Sequence, residues 1–171
     1  ISRIVSGKVA LSMEQVDLRE PIERALELTQ PLFEGRRSAP QFNLPAKPVV
    51  VLGDSLRIAQ IVTNLLTNAA KFSASDTEIS ISLHESDGFA ELSVTDEGIG
   101  ISPDFLPRVF ERFIQGDQAL ERAAGGLGLG LAIAQNLAKL HNGVIEARSD
   151  GVGMGSTFVV RIPLYIPLAP A

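Results

Sequence analysis

Apolar residues recur through residues 54–72 with the spacing of a helix that buries one face. Asp54 precedes the run and is a residue type that caps helices, because its side-chain oxygen accepts a hydrogen bond from a free backbone N–H. The pattern predicts a long helix that begins after Asp54 and ends at about Phe72. Its apolar positions are Ile58, Ile61, Val62, Leu65, Leu66 and Ala69.

Two later segments alternate apolar and polar residues, as strands do when one face is buried. They are EISISLHE at 78–85 and AELSVTD at 90–96, and Ser86–Gly88 supplies a turn between them. This arrangement predicts an antiparallel hairpin. The residues on its apolar face are Ile79, Ile81, Leu83, Ala90, Leu92 and Val94.

Shorter patterns complete the predicted order of elements. Pro21 lies just inside the first turn of one helix, and Asn142–Gly143 ends the last helix. The remaining predicted elements are a strand near 9–18, a helix over 20–34, strands over Gln41–Leu44 and Val49–Leu52, a polar segment without clear periodicity over 101–124, a helix from Leu129 to His141, and strands over 143–148 and 156–163. Strands at both ends, with helices between them, indicate an α+β two-layer sandwich in which a mixed, mostly antiparallel sheet carries helices on one face.

Composition excludes several classes of function. The chain has 171 residues, enough for one domain, and 45% of them are apolar, enough for a core. Its net charge of −5 argues against a general binder of nucleic acid or anionic membranes, which usually presents a basic face. Without cysteine there are no disulfides or thiolate sites, and only His84 and His141 are available to a histidine-based metal site. No apolar run approaches the roughly 20 residues that span a bilayer.

A second, polar stripe runs along the long helix through Gln60, Asn64, Asn68 and Lys71. Asparagine oxygens are hard ligands that suit Mg²⁺, and a lysine ammonium offers a point charge to phosphate. A solvated helix face explains the same stripe equally well, because polar stripes are the default on surface helices.

Two motifs that contain glycine add candidate ligand contacts. In DEGIG, at 96–100, Asp96 ends a predicted strand and can accept a hydrogen bond from an exocyclic amine such as that of adenine, but a simple acidic turn gives the same motif. In GGLGLGL, at 125–131, glycines lead into a helix N-terminus, where free N–H groups and the helix dipole favour a phosphate. A flexible hinge is the alternative for the second motif and is compatible with phosphate binding.

The order of these motifs resembles that of the ATP-binding catalytic domain of sensor histidine kinases. The resemblance rests on DSLRIAQIVTNLLTNAAKF, DEGIGI, FERF, GGLGLGLAI and GMGSTF, which are similar to the N, G1, F, G2 and G3 boxes of that family. It covers residues 9–164 and looks most like kinases of the hybrid type. It implies a Bergerat-type ATP-binding fold, with ATP between the long helix and a flexible lid.

The resemblance also implies roles for individual residues. Asn68 would be the main Mg²⁺ ligand, with Asn64 assisting from one turn earlier, and Lys71 would contact phosphate. Phe72 would pack at the site, and Asp96 would bind the adenine amine. The other implied residues are Gly98, Ile99 and Gly100 at the base, Gly126, Gly128, Leu129 and Gly130 at the phosphates, Thr157 at the base end, and Phe110 and Phe113 as anchors of the lid that do not touch nucleotide.

Kinases of this family phosphorylate a histidine on a helical hairpin that precedes the catalytic domain. We expect residues 1–8 to be the tail of that hairpin, residues 9–164 the catalytic domain, and residues 165–171 a linker or frayed tail. Neither His84, on a predicted strand, nor His141, at a helix end, suits the role of acceptor. The expected activity is therefore transfer of the γ-phosphoryl group of Mg-ATP to a histidine outside this sequence, with no acid or base of this chain required.

The expected partners are ATP, the dimerisation and histidine phosphotransfer domain of the same protein, and a response regulator or receiver domain, but not nucleic acid. Dimer contacts of the family lie mostly in the hairpin, so we expect this fragment to be a monomer and the full-length protein to be a homodimer. We also expect a cytoplasmic location for this domain, whether or not other segments of the protein are anchored in a membrane.

Three alternatives are compatible with the sequence. A hydrolytic ATPase of the same fold carries a glutamate base at the position of Asn64, where an amide cannot take a proton from water. A degenerate module that binds nucleotide or a partner without catalysis is supported by Leu127, where the family often has Thr or Ser, and by Gln115, where it often has an arginine. Arg112 or Arg122 could replace that arginine. A serine kinase of the anti-sigma type is the third alternative, and the F-box-like segment argues against it.

Overall fold

A computed structural model describes residues 10–111 and 128–167 of the chain. None of the helices in these ranges is long and apolar enough to cross a bilayer. The elements, in chain order, are β1 (Glu14–Asp17), α1 (Arg19–Phe33), β2 (Gln41–Asn43), β3 (Val50–Gly53), α2 (Ser55–Phe72), β4 (Ile79–Ser86), β5 (Phe89–Asp96), a short 3-10 turn (Leu106–Arg108), α3 (Gly130–Leu140), β6 (Val144–Arg148) and β7 (Ser156–Pro163).

Five strands form the main sheet, in the order β2-β4-β5-β7-β6. The short edge strand β2 runs parallel to β4, and the other neighbours are antiparallel. The predicted hairpin is β4–β5, and its turn places Asp87 and Gly88 at φ values of +50° and +81°, as a tight two-residue hairpin turn requires. The predicted mixed, mostly antiparallel sheet is confirmed.

Strands β1 and β3 lie outside the main sheet. They pair with each other as an antiparallel ribbon, and a bridge from Val51 to Leu164 connects this ribbon to the chain after β7. The sequence predicted a single sheet and a longer first strand, over 9–18. The observed strand is limited to Glu14–Asp17, the length over which β3 provides backbone partners.

The helices pack side by side, with α2 in contact with both α1 and α3. All six predicted apolar positions of α2 are buried, and none is more than 2% exposed. They form one core with the apolar faces of β4, β5 and β7. Burial stabilises by about 1.5–3 kcal/mol for each large aliphatic side chain, so this stripe fixes α2 against the sheet.

His141 joins the N-terminus of α2 to the C-terminus of α3. Its ring is 1% exposed, Nε2 accepts a hydrogen bond from the Asp54 N–H at 3.0 Å, and Nδ1 donates to the Leu137 carbonyl at 2.7 Å. Asp54 caps α2 as predicted, because its carboxylate accepts from the Arg57 N–H at 3.1 Å. With both ring nitrogens bonded inside the core, His141 is a packing residue, whereas His84 is exposed on β4.

Candidate functional site

The polar stripe of α2 lies half-buried beside the start of α3. Asn64 donates a hydrogen bond from Nδ2 to the Gly130 carbonyl at 3.1 Å, which ties the middle of α2 to the first residue of α3. One turn later, the Asn68 side chain forms no hydrogen bond with any residue that the structure describes. Within the described ranges no cluster of three or more His, Asp or Glu side chains could hold a metal ion, so the two amides are the candidate ligands.

Lys71 and Phe72 occupy the last turn of α2. The Lys71 Nζ lies 4.8 Å from the centroid of the Phe72 ring, within the range of a cation–π interaction. The helix dipole favours a cation at this end, and no carboxylate in the described part of the chain forms an ion pair with it. Lys71 is therefore a candidate contact for an anion.

Asp96 ends β5 as a buried carboxylate that is only 4% exposed. Its Oδ1 accepts a hydrogen bond from the Gly98 N–H at 2.8 Å, and its Oδ2 accepts one from the Ser156 hydroxyl at 2.6 Å. Burial raises the pKa of Asp96 above its ordinary value, and the hydrogen bonds from Ser156 and Gly98 oppose that rise. No cation among the described residues pairs with Asp96, so the fold maintains a buried, unpaired carboxylate, as sites for ligands often do.

The turn after Asp96, which we call the aspartate loop (residues 96–100), packs against the end of α2. The Ile99 N–H donates to the Phe72 carbonyl at 3.0 Å. A Cβ added at Gly98 would overlap the same carbonyl and would lie 2.6 Å from Asp96 Oδ1. Gly100 has a φ of +69°, and a Cβ there would overlap the Gly151 carbonyl. Glycine is required at both positions for the loop to approach its neighbours this closely.

A second loop, the serine loop (residues 149–155), completes this end of the sheet. The Gly153 N–H donates to the Ile99 carbonyl at 2.6 Å, and the Gly155 N–H donates to the Gly98 carbonyl at 3.2 Å. The Ser149 hydroxyl donates to the Gly155 carbonyl at 2.7 Å. The aspartate and serine loops are thus one hydrogen-bonded unit around Asp96.

The hydroxyl that contacts Asp96 belongs to Ser156, a residue that sequence reasoning missed. Thr157, the predicted residue at the base end, follows it on β7 and therefore points to the opposite face of the sheet, where its hydroxyl lies 3.0 Å from that of Thr95. A signal was present in the sequence, because Phe158 and Val160 put even-numbered positions of this strand on the core side. The predicted role of Thr157 stays a prediction.

The start of α3 supplies the described part of the glycine-rich motif. Gly128 and Leu129 precede the helix, which begins at Gly130. A Cβ added at Gly130 would meet Asn64 atoms at 3.8–3.9 Å, so this helix terminus lies directly beside the polar stripe. The free N–H groups and the positive end of the α3 dipole are therefore close to the candidate metal ligands.

Several predicted residues lie outside the described ranges: Gly126 and Leu127 of the glycine motif, and Arg112, Phe113, Gln115 and Arg122 before it. Phe110 is described, and its ring packs edge-on against Phe158 with the two centroids 6.2 Å apart. Phe158 is 2% exposed, so Phe110 is packed on the core. The domain boundaries predicted at residues 8 and 164 stay predictions.

A cavity of about 130 Å³ lies at this end of the sheet, and it is lined by the ends of β5 and β6, the serine loop and the start of β7, with Asp96, Ser156 and Thr157 among its residues. A larger cavity of about 290 Å³ lies between α1 and β2. The larger cavity is lined mainly by apolar side chains, whereas the smaller one has the buried Asp96 in its wall. We place the candidate site at the smaller cavity because binding chemistry, not volume, is concentrated there.

Comparison with known proteins points to the same region. The model of the family described as histidine kinase-, DNA gyrase B- and HSP90-like ATPase matches residues 53–166. That range includes α2, the β4–β5 hairpin, α3 and both final strands, and so every element of the candidate site.

The curated relatives are sensor kinases that are longer than this chain. The sensor-like histidine kinase SenX3 of Mycolicibacterium smegmatis is 48% identical over 115 residues, which cover 67% of this chain and 30% of that protein. SenX3 of Mycobacterium tuberculosis (strain ATCC 25618 / H37Rv) is 36% identical over 166 residues, which cover 97% of this chain and 40% of that protein. The chain therefore spans less than half the length of these relatives.

Solved structures agree with the fold. The mycobacterial sensor histidine kinase MprB is similar with a TM-score of 0.74 and 32% identity, over 89% of this chain and 97% of that chain. Full-length ShkA in complex with AMPPNP is similar with a TM-score of 0.82 and 28% identity, over 99% of this chain and 35% of that chain. The resemblance found in the sequence is confirmed: the chain belongs to the family of histidine kinase-, DNA gyrase B- and HSP90-like ATPases, and its relatives there are sensor histidine kinases.

Proposed function

We propose that this domain binds Mg-ATP and transfers the γ-phosphoryl group to a histidine nitrogen on a separate domain. The observation that carries the proposal is Asp96, a buried carboxylate without a cationic partner in the described ranges, placed next to the end of α2. Keeping such a group costs free energy, which is tolerated where it serves a ligand. Membership of the ATPase family and relatives named sensor histidine kinases support the assignment.

At the base end, Asp96 accepts a hydrogen bond from the 6-amino group of adenine. Among the described residues each of its oxygens accepts one hydrogen bond, and a carboxylate offers about four acceptor positions, so capacity for a bond from adenine is left. Ser156 orients the carboxylate, and residues 98–100 form the wall beside the base. Ile99, which is 41% exposed, offers apolar surface to the purine, and Thr157 is the further contact expected from the family resemblance.

At the phosphate end, Asn68 and Asn64 hold Mg²⁺ through their amide oxygens, and Lys71 contacts phosphate. The donor set fits the ion, because Mg²⁺ prefers oxygen ligands and needs few of them from the protein when phosphates and water supply the rest. The N–H groups of residues 128–130, together with Gly126, line the phosphates. Mg²⁺, when bound, neutralises charge that develops on the transferred group.

In the transfer itself, the residues of this chain position the substrate. The bond from the imidazole nitrogen to the γ-phosphorus forms as the bond from that phosphorus to the β–γ bridging oxygen breaks, and ADP leaves. A neutral imidazole is already a nucleophile, so the chain needs no general base. Lys71 and the start of α3 stabilise charge on the transferred group, while Asn64 and His141 keep α2 and α3 in a fixed relation.

The acceptor histidine belongs to the dimerisation and phosphotransfer domain of the same protein, and a response regulator or receiver domain then takes the phosphoryl group. This assignment rests on the relatives, which are longer than the present chain. In this scheme the domain acts in the cytoplasm and is a monomer by itself.

Calorimetric titration with a non-hydrolysable ATP analogue, with and without Mg²⁺, tests binding. We expect affinity that increases with Mg²⁺, and we expect Asn68→Ala to abolish this increase. Thr67→Ala, at an exposed position of the same helix, is the matched control and should bind like the wild type. An unchanged Mg²⁺ response in N68A would remove Asn68 from its assigned role, and no binding by the wild type would favour the degenerate module.

Incubation with γ-labelled ATP and a purified histidine-bearing dimerisation domain tests transfer. We expect label on histidine, recognised because phosphohistidine is labile in acid and stable in base. Rapid release of free phosphate without any acceptor would instead favour the hydrolytic ATPase, which Asn64 argues against because an amide cannot take a proton from water.

A further inference from the structure

Arg36, in the loop between α1 and β2, donates hydrogen bonds to three backbone carbonyls of the segment that follows α2. We call this segment the exit segment (residues 73–77). The guanidinium donates from Nη1 to the Ser73 carbonyl at 3.3 Å and from Nη2 to the carbonyls of Ala74 and Thr77 at 2.6 and 3.3 Å. The end of a helix concentrates unpaired carbonyls and the negative end of the dipole. A planar guanidinium with donors in a fixed fork is suited to hold such a group.

The loop that carries Arg36 adds backbone hydrogen bonds to the same segment. The N–H groups of Arg37 and Ser38 both donate to the Ser75 carbonyl, at 2.9 and 3.1 Å. The Arg37 side chain is exposed and makes no hydrogen bond or ion pair within the described ranges. Of the two neighbouring arginines, Arg36 alone therefore holds the exit segment through its side chain.

Both ends of the exit segment are bonded to the aspartate loop. Before its first residue, the Phe72 carbonyl accepts from the Ile99 N–H at 3.0 Å. After its last residue, the Glu78 carbonyl accepts from the Glu97 N–H at 3.2 Å, and the Glu97 carboxylate accepts from the Glu78 N–H at 3.2 Å. Asp96 directly precedes the attachment at Glu97, and its Oδ1 accepts from the N–H of Gly98, which lies between the attachments at Glu97 and Ile99. A displacement of the exit segment therefore displaces the Asp96 carboxylate.

We infer that Arg36 is a positioning residue for recognition of the nucleotide base: it fixes the exit segment, and the exit segment fixes Asp96 at hydrogen-bonding distance from the purine amine. The inference rests on the proposed function, because it needs a nucleotide at Asp96. Within residues 10–111 and 128–167, the hydrogen bonds of the Arg36 side chain go to carbonyls of the exit segment, and none goes to the stripe of α2 or to the start of α3. Replacing Arg36 should therefore weaken the contact to the base and leave the contacts to the phosphates unchanged.

The test compares two nucleotides on the 171-residue chain by calorimetric titration with Mg²⁺. One is ATP, and the other is purine riboside triphosphate, which lacks the 6-amino group. For Arg36→Met we expect ATP affinity to fall about tenfold, the effect of one lost hydrogen bond to a charged group, and affinity for the analogue to stay unchanged. The ratio of the two affinities reports the contact at Asp96, whereas a general loss of structure would lower both affinities together.

Two further variants decide the outcome. Arg37→Met makes the same change of charge one residue away and should keep the wild-type ratio. Arg36→Lys keeps a cation but not the fork of donors, so an intermediate ratio is expected. If R36M has the same ratio of ATP affinity to analogue affinity as the wild type, the inference is overturned. If R36M does not fold, the same result in R36K overturns it. Failure of the proposed function looks different, because the wild-type chain would then bind neither nucleotide or both equally, and the inference would fall with it.

Discussion

Replacing Asp96 by Asn keeps the shape of the side chain and exchanges one acceptor oxygen for an NH₂ donor. In the native chain Oδ1 accepts from the Gly98 N–H at 2.8 Å, and Oδ2 accepts from the Ser156 hydroxyl at 2.6 Å. The amide oxygen of the variant can keep the bond from Gly98, and the Ser156 hydroxyl can rotate to accept from the new NH₂ group. The internal hydrogen bonds therefore survive, while the negative charge that strengthens a bond from a purine amine is lost and one of the two acceptor oxygens becomes a donor.

Affinity and stability should change in opposite directions in this variant. A hydrogen bond to a charged group contributes about 1.5–3 kcal/mol, so ATP should bind about 10- to 150-fold more weakly. Burial raises the pKa of Asp96, which means that the folded state disfavours the charged form, and the substitution removes that cost. The Asp96 carboxyl loses its proton at a lower pH in the unfolded chain than in the folded one. The wild type should therefore lose stability as the pH rises from about 4 through the folded pKa, whereas the stability of the variant should not change for this reason.

Circular dichroism can follow unfolding, since the chain has no tryptophan and one tyrosine, and calorimetric titration gives the affinity. Asp104→Asn makes the same chemical change at an exposed position and should alter stability by no more than about 0.5 kcal/mol. An Asp96→Asn variant that is less stable than the wild type at pH 7 and binds ATP equally well would refute the reasoning. Asp96 would then be a turn residue without a role in binding.

Three further predictions use other substitutions, two of them around Asp96 and one on β1. Gly98→Ala should lower the free energy of unfolding by about 2 kcal/mol or more and also weaken ATP binding, because the new Cβ overlaps the end of α2. Gly88→Ala is the control: its Cβ would enter open space, and its cost comes from the φ of +81° alone. It should lower the free energy of unfolding by about 1–2 kcal/mol in thermal unfolding and leave ATP binding unchanged. In titrations, Ser156→Ala should weaken ATP binding more than Thr157→Val, and the opposite order would return the base contact to the threonine. The pKa of Asp17 is lowered by its hydrogen bond from the arginine two residues later, so its stabilisation is lost as the pH falls through the folded pKa. Melting curves of Asp17→Asn should therefore depend less on pH below about 4.

The elements that the sequence predicted well are those whose signals are local. The period and cap of α2, from Asp54 to Phe72, and the two-residue turn between β4 and β5 are decided within each segment. The β1–β3 ribbon was not predicted, because alternation at Val16 and Val51 shows that one face is buried but not which strand lies alongside. Strand pairing between segments distant in sequence depends on the whole fold.

The candidate site divides in the same way. Asp96 and the α2 stripe were predicted from residue type and spacing, while Ser156 needed the strand parity that Phe158 and Val160 provide. The contacts of Arg36 could not be predicted from the sequence, because its partners are backbone carbonyls. Every residue has such a carbonyl, so the residue types of the exit segment do not indicate the contact. Side chains that act on backbone are found only when the chain is folded.

The surroundings of Asp96 come from four distant stretches of chain: residues 36–38, 72–78, 96–100 and 149–156. No one stretch carries enough of the base site to bind a nucleotide, so ATP, as proposed here, binds the folded state alone. A ligand of that kind adds RT ln(1 + [L]/Kd) to the free energy of unfolding, about 2.7 kcal/mol at a hundredfold excess over Kd. The substrate is then also a stabiliser, and the fraction of this domain that is folded rises and falls with the supply of nucleotide.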